Sequence, residues 1–318
     1  MLTSELFDSV ENYSDIYTFM CLAAKKDFQI VYVEESEKFE KFKKHFNPSV
    51  MNTVLQKIEK DLKLFVSRKS AVFKIGMEKS KDFITINEAI DLVTKPFEVC
   101  MENNRNDKNF LYFFCDDEQK KLLKNLEQNN ELYFWSGGGT GELKKRVEKD
   151  DFRIQNSYVF FDSDQLPFDS TSIGNTPNQI KTICEKKNTK FSILQRRFIE
   201  SYVPHKSLST YVFKNKKNKK AYQSLLDAYI KLDCKETQYY FNMKKGLNGD
   251  EKRACGRAIL IEKYFYKIPR NSIKFFNTGF GENLSSVYED DLNIADKIKD
   301  SDGWNEINGI VKNILMVI

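Results

Sequence analysis

The apolar residues of this chain first follow a helical period and later gather in short continuous runs. In the first ninety residues they recur three and four positions apart, which is typical of amphipathic helices. One apolar run, at residues 28–33, is typical of a strand instead. The predicted helices of this region lie at residues 4–25, 36–46, 48–64 and 87–94, the last capped by Asn87.

Beyond Pro96 the pattern changes to short apolar strands that alternate with amphipathic helices. The predicted strands lie at residues 97–101, 131–135, 158–161 and 190–194. The predicted helices between them lie at residues 107–114, 118–126, 142–148 and 177–187. Strands that are apolar throughout and alternate with helices indicate an α/β fold with a central, mostly parallel sheet that is flanked by helices.

The same pattern divides the chain into three regions. A mainly helical N-terminal region is predicted at residues 1–94, an α/β domain at 95–206, and a mixed, mainly helical region at 207–318. Further helices are predicted in the last region at residues 221–231, 251–264 and 305–317. Ligands of parallel sheets bind at the carboxyl ends of the strands, so we expect any functional site at that edge of the α/β domain.

Composition excludes several classes of protein. The 318 residues include 26 Phe and 15 Tyr, enough for a sizeable core, and the net charge is only +5. The mean hydropathy is −0.56, and no run approaches the ~20 apolar residues of a membrane span. Six scattered cysteines and two histidines exclude a zinc ribbon or finger and predict buried thiols. The acidic N-terminus is unlike a signal peptide, so we expect a cytoplasmic protein.

Carboxylates follow the predicted strands. Glu102 comes directly after the first strand and Asp107 five residues later, Asp162 and Asp164 follow the third, and Glu200 lies shortly after the fourth. Carboxylates held together at one edge of a sheet repel one another, and oxygen ligands without His or Cys select a hard cation. We therefore predict one or two Mg²⁺ ions, or Mn²⁺, at this edge. The alternative is that an Asp after a strand merely caps a helix or begins a turn.

These segments resemble a Toprim domain. The resemblance rests on Val-Cys-Met-Glu102, on Gly-Gly-Gly-Thr-Gly at residues 137–141 and on Phe-Phe-Asp162-Ser-Asp164, and it covers about residues 96–204. Toprim domains form the catalytic core of topoisomerases, bacterial primases and the overcoming-lysogenisation-defect nucleases. The segment that contains Glu200 is similar to one in nucleases of phage defence. Two departures concern the first motif: Asn103 replaces the glycine of the family, and the step to Asp107 is one residue longer.

The resemblance implies a metal-dependent nuclease. Glu102 would act as general acid/base or bridge the metal ions, Asp162 and Asp164 would hold Mg²⁺, and Glu200 would complete the shell. A lysine beyond the core, Lys244 or Lys245, would stabilise the transition state. A topoisomerase would need a further strand-passing domain and a primase a zinc ribbon, so hydrolysis is favoured. The alternative is a catalytically silent nucleic-acid-binding or scaffold protein that retains the sheet.

Basic and glycine-rich segments are candidates for contact with DNA or RNA. Gly138 and Gly139 lie in the loop after the second strand, and the pair Arg196-Arg197 precedes Glu200. Five lysines occur within seven positions at 214–220, with Lys216 and Lys217 at their centre; the alternative is a solvated loop. The aromatic residues at 239–241 are predicted to belong to the core.

The resemblance to defence nucleases suggests an anti-phage effector. Residues 137–141 lack the lysine of a Walker motif, so we expect control by a separate ATPase or sensor protein. Self-association is a second means of restraint. No membrane partner is expected.

Overall fold

A computed structural model describes residues 1–24, 36–64, 74–80, 83–149, 156–168, 174–214, 219–289 and 301–318. The chain divides into two compact units. The first comprises Met1–Phe97 with Val317–Ile318, and the second comprises Glu98–Met316. The predicted subdivision of the second unit near residue 206 stays a prediction.

The first unit is mainly helical. Its helices are α1 (Tyr13–Ala24), α2 (Glu37–His45), α3 (Pro48–Leu64) and α4 (Ile86–Thr94), and its strands are β1 (Lys74–Gly76) and β2 (Phe83–Thr85). Phe7, Tyr13 and Phe42 are buried together in its core. Helix α1 is shorter than the predicted helix at residues 4–25, because Ser4–Asp8 and Val10–Asn12 form 3₁₀ turns.

Two details of this unit differ from the sequence-based expectation. Helix α4 begins one residue before the predicted start, because Thr85 rather than Asn87 caps it in a reciprocal capping box with Glu88. The parallel pair β1–β2 was not predicted, because three-residue strands carry too little periodicity to be recognised. The predicted strand at 28–33 lies outside the described residues.

The second unit contains a four-stranded sheet. Its strands are β3 (Phe97–Met101), β4 (Leu132–Ser136), β5 (Ser157–Phe161) and β6 (Lys190–Ile193), in the order β4-β3-β5-β6. β5 runs parallel to both β3 and β6. The predicted class, an α/β fold with a parallel sheet flanked by helices, is confirmed.

Helices cover both faces of this sheet. The helices described in this unit are α5 (Asn104–Phe113), α6 (Asp117–Gln128), α7 (Thr140–Glu148), α8 (Asn175–Lys187), α9 (His205–Lys214), α10 (Lys219–Ile230), α11 (Lys235–Tyr240), α12 (Arg257–Ile259) and α13 (Ser301–Leu315). Val159 and Phe161 pack with residues of α7 and α8, whereas Phe160 stacks on Phe110 of α5 on the opposite face. Alternation along β5 therefore supplies two buried layers.

The C-terminal part departs most from expectation. The predicted helix at 251–264 is broken: a turn precedes α12, which continues as the π-helix Leu260–Tyr264. Cys255 and Gly256 both have positive φ, +58° and +129°, which a helix cannot accommodate. Helices α9 and α11 were not predicted.

All six cysteines are free thiols, and none forms a disulfide. Cys100, Cys115 and Cys184 are buried as predicted, Cys21 and Cys234 are partly buried, and Cys255 is exposed. Within the described residues, every helix is too short or too polar to cross a bilayer.

Candidate active site

Glu102 directly follows strand β3 and points into a polar site at the carboxyl edge of the sheet. Its Oε2 accepts a hydrogen bond from the Thr140 hydroxyl at 2.7 Å, and its Oε1 accepts one from the backbone N–H of Asp162 at 3.3 Å. Residues that follow β4 and β5, the two strands beside β3, thus both bind the Glu102 carboxylate. Burial raises the pKa of Glu102, and these two hydrogen bonds and the nearby Lys244 oppose that rise.

The glycine loop after β4 is fastened to the same strand end. The N–H groups of Gly138 and Gly139 both donate to the backbone carbonyl of Glu102, at 3.2 and 2.9 Å. Their φ values of +87° and +138° suit glycine only. Both amides are used inside the protein. The loop places Thr140 at the start of α7, in contact with Glu102.

The two aspartates of the Asp-Ser-Asp motif diverge. Asp162 Oδ1 accepts the N–H of Ile199 at 3.2 Å, so its side chain faces the site. Asp164 has a left-handed backbone with φ of +50°, its side chain is 41% exposed, and it pairs with Arg253 at 2.9 Å and Arg197 at 3.4 Å. Burial raises the pKa of Asp162 well above its usual range, as do the charges of the other carboxylates.

Glu200 is the least satisfied carboxylate of the group. It lies in the 3₁₀ turn Ile199–Tyr202 after β6 and is completely buried. Lys244 Nζ lies 3.0 Å from its Oε1, while Oε2 accepts no hydrogen bond from any other described residue. Burial raises the pKa of Glu200, and Lys244 opposes that rise. A buried carboxylate oxygen without a donor is costly unless a ligand compensates it.

Lys244 is placed by a close approach of two backbone segments. The N–H of Gly281 donates to its carbonyl at 3.1 Å, and a Cβ on Gly279 would come within 2.5 Å of that carbonyl oxygen. Burial by itself lowers the pKa of Lys244, but Glu200 and Asp162 outweigh it and raise the pKa. The lysine therefore stays charged among the carboxylates.

Asp107 contributes from the first turns of α5. It is 7% exposed, and its Oδ2 accepts the backbone N–H of Asn103 at 2.8 Å. Burial raises the pKa of Asp107 to about 8, and the charges of Glu102 and Glu200 add to that rise. Asp107 thus anchors the helix start and adds one more titratable group to the site.

The remaining predicted residues lie elsewhere or are engaged internally. Lys245 is exposed and lies 3.5 Å from Glu282. The Arg196 guanidinium donates to the Ser201 carbonyl, and that of Arg197 donates to both oxygens of Asp250. We therefore leave these three basic residues out of the proposed site. Lys216 and Lys217 lie outside the described residues.

The side chains fit a hard divalent cation in their chemistry. All candidate metal ligands are oxygens, several carboxylates have raised pKa values because of burial and mutual repulsion, and Glu200 Oε2 accepts no hydrogen bond from another described residue. Among the described residues, however, no three Asp, Glu, His or Cys side chains are already arranged as a metal-binding group. Lys244, next to Glu200, supplies positive charge in the structure as it stands.

Three residues with a role at this edge were not predicted from sequence. Thr140 binds Glu102, Arg253 pairs with Asp164, and Asp250 holds Arg197, whose carbonyl accepts the N–H of Asp164 at 3.1 Å. Thr140 had a signal, since a hydroxyl at a helix start after a glycine loop often contacts a ligand or a cap. Arg253 and Asp250 are brought in only by folding of the C-terminal segment.

Comparisons with known proteins give no match to a family model, to a curated protein or to a solved structure.

Proposed function

We propose that this protein is a Mg²⁺-dependent nuclease of the Toprim type, which hydrolyses phosphodiester bonds of nucleic acid. The observation that carries the proposal is Glu200, a fully buried carboxylate whose Oε2 accepts no hydrogen bond from any other described residue. It lies beside Lys244, and its charge raises the pKa of both Asp162 and Asp107. Structural carboxylates are normally fully paired, so this arrangement favours catalysis.

The residues have distinct roles in this proposal. Asp162 and Glu200 would hold Mg²⁺, with Asp164 at the exposed rim, and the ion would neutralise charge on the phosphate and acidify a water molecule. Glu102 would be the base that takes the proton of the attacking water as the new P–O bond forms. Lys244 Nζ stabilises the negative charge that develops on the phosphate oxygens before the leaving oxygen departs.

The second candidate is a catalytically silent scaffold or nucleic-acid-binding protein. One observation favours it: Lys244 pairs with the buried Glu200, and the described residues hold no ready-made metal-binding group. A buried carboxylate neutralised by a lysine is a stable structural arrangement in its own right.

The test is cleavage of plasmid DNA and of total tRNA by purified protein with Mg²⁺, Mn²⁺ or EDTA. The matched variants are Glu102→Gln, which keeps an acceptor for the Thr140 hydroxyl, and Glu118→Gln on the exposed face of α6. Metal-dependent cleavage that is lost only in Glu102→Gln supports the nuclease. Cleavage that is equal in both variants contradicts it. Binding of nucleic acid without cleavage, even with co-purified partners, favours the scaffold.

The proposal extends to biological context through the resemblance alone. An anti-phage effector that is restrained by a separate ATPase or sensor protein, or by self-association, agrees with the expected toxicity of an unrestrained nuclease. Co-purification of the tagged protein with products of neighbouring genes tests this part.

A further inference from the structure

The Lys244 ammonium lies among the carboxylates of the candidate site. Its Nζ is 3.0 Å from Oε1 of Glu200, whose side chain is fully buried. Its positive charge also opposes the rise in pKa that burial causes at each carboxylate of the group, so it lies within electrostatic range of them all. These carboxylates are Glu102, Asp107, Asp162 and Glu200. The lysine therefore provides the positive charge that a bound cation would provide.

The backbone of Lys244 is fixed, whereas its side chain reaches solvent. The N–H groups of Phe280 and Gly281 donate to the carbonyls of Met243 and Lys244, at 2.6 and 3.1 Å. The Lys244 side chain is 30% exposed, in contrast to 0% for the side chain of Glu200. Rotation of the lysine side chain is therefore enough to move the ammonium away from Glu200, because its outer part already borders solvent.

A second carboxylate lies on the solvent side of Lys244. The charge of Glu282 adds to the rise in the pKa of Lys244, and the Glu282 side chain is 66% exposed. Lys244 thus has a buried acidic neighbour and an exposed one. An ammonium that leaves Glu200 stays close to negative charge, and this lowers the free energy needed for the movement.

A divalent cation and the Lys244 ammonium compete for Glu200. The cation needs this carboxylate as a ligand, and a second positive charge on the same carboxylate repels it. Oε2 of Glu200 accepts no hydrogen bond from any other described residue, so it offers a first ligand while Lys244 still pairs with Oε1. Complete binding of the cation then requires the lysine to move.

We propose that the Lys244–Glu200 ion pair is autoinhibitory: it opposes the binding of Mg²⁺ to Glu200 until the ion displaces the ammonium towards solvent. The displaced ammonium is then available to the phosphate of a substrate, so metal binding prepares the site for substrate. This inference rests on the proposed function for the identity of the cation and of the substrate.

The first test measures Mg²⁺ binding in the absence of nucleic acid. Mg²⁺ is titrated into the full-length wild type, Lys244→Gln and Lys245→Gln, and the heat of binding is recorded by calorimetry. Lys245→Gln is the matched control, since it removes the same charge from the adjacent residue, whose ammonium lies beside the exposed Glu282 instead of Glu200.

We expect Lys244→Gln to bind Mg²⁺ about tenfold more tightly than the wild type, as for an ion pair that is open about one-tenth of the time. Lys245→Gln should bind like the wild type. Cleavage by Lys244→Gln should fall although its affinity for Mg²⁺ rises, because the phosphate loses its cation. Equal affinity of the two variants overturns the inference, as does a Lys244→Gln protein that is folded and does not bind Mg²⁺.

The second test uses the wild type and therefore does not depend on folding of Lys244→Gln. Lysine side chains are acetylated with an amine-reactive reagent, with and without Mg²⁺, and the rate at each lysine is followed by mass spectrometry. We expect Mg²⁺ to raise the rate at Lys244 severalfold, because the ammonium leaves the buried carboxylate, and to leave the rate at Lys245 unchanged. An unchanged rate at Lys244 at a saturating concentration of Mg²⁺ overturns the inference.

The proposed function fails separately. If Mg²⁺ binds more tightly to Lys244→Gln and exposes Lys244 in the wild type, but plasmid DNA and tRNA are never cleaved, the autoinhibitory ion pair stands and the nuclease does not. If Mg²⁺-dependent cleavage is found while the affinity for Mg²⁺ is the same in Lys244→Gln and Lys245→Gln, the nuclease stands and the autoinhibitory ion pair is rejected.

Discussion

The ion pairs Arg197–Asp250 and Lys244–Glu200 of the second unit both contain a buried carboxylate, and they are satisfied to different degrees. Arg197 and Asp250, 2% and 1% exposed, form a bidentate pair at 2.6 and 2.7 Å, and Asn242 adds a further donor to Asp250. Glu200 is as deeply buried, but its Oε2 accepts no hydrogen bond from any other described residue, and Lys244, 3.0 Å from Oε1, is itself 30% exposed. Both pairs join a cationic side chain to a buried carboxylate, but they differ in how many carboxylate oxygens accept a hydrogen bond.

In the proposed function, the fully hydrogen-bonded pair Arg197–Asp250 is structural and the pair Glu200–Lys244 belongs to the site. In the Arg197–Asp250 pair, both oxygens of the carboxylate accept hydrogen bonds from the guanidinium. The pair fixes the position of Arg197, whose carbonyl accepts the backbone N–H of Asp164. In the Glu200–Lys244 pair, Oε2 of Glu200 accepts no hydrogen bond from any other described residue, and the charge of Glu200 raises the pKa of Asp162. An incomplete buried pair costs stability, and in the proposed function a bound cation and phosphate would offset that cost.

Neutralising Glu200 should have the largest effect on activity. Glu200→Gln removes a charge but keeps the size of the side chain, and we expect cleavage to fall by on the order of 10²–10⁴-fold, as for loss of a catalytic group. Folding should change little, since Lys244 is partly exposed and keeps Asp162 nearby. Cleavage rates and melting temperatures of Glu200→Gln and of the exposed control Glu282→Gln measure this. A large loss of stability with normal activity would make Glu200 structural.

Breaking the Arg197–Asp250 pair should have the largest effect on stability. Asp250→Asn leaves the Arg197 guanidinium buried without its counter-charge, and we expect unfolding to become easier by about 3–5 kcal/mol. Denaturant unfolding of this variant and of Asp233→Asn, an exposed aspartate, measures the difference. If both variants unfold alike, the two ion pairs do not differ in the way described.

Divalent cations should stabilise the protein by binding to the carboxylates around Glu200 and Asp162. Mg²⁺ at about a hundred times its Kd stabilises a folded state by about 2.7 kcal/mol, which appears as a higher melting temperature. The shift should grow with pH, because the raised pKa values of Asp162 and Glu200 keep protons on the ligands at low pH. Asp162→Asn should abolish it and Asp227→Asn should not. A shift that survives Asp162→Asn would place the ion elsewhere.

The smallest expected effect is the pH dependence of the metal-free protein. The pKa of Asp107 is about 8 in the folded state against 3.8 ordinarily, so folded protein binds more protons than unfolded protein between these values. Its contribution is fully present below about pH 4 and is lost as pH rises towards 8. Asp107→Asn should flatten melting temperature against pH in EDTA by a few degrees. An unchanged profile would mean that Asp107 does not carry the shift.

Local patterns were sufficient for most of the α/β core. Strands β3 and β5 were predicted because most of their residues are apolar, and both are buried along their whole length. Helix 251–264 failed because a positive φ at Cys255 interrupts it, and no local signal marks a non-glycine residue for that conformation. Position after a strand pointed to Glu102, Asp162 and Glu200 together.

The sequence by itself determined the α/β class and the strand ends that carry carboxylates, because periodicity and strand order are local properties of the chain. Only the tertiary structure decided which groups are buried, paired or left without a partner. It separated Lys244 from Lys245 and Asp162 from Asp164, and it turned Arg197 inward to Asp250. Burial and charge depend on residues far apart in sequence, since Glu200 meets Lys244 across forty-four positions. The burial and charge of the site residues therefore depend on the tertiary structure, even where the sequence pattern alone identifies the residues.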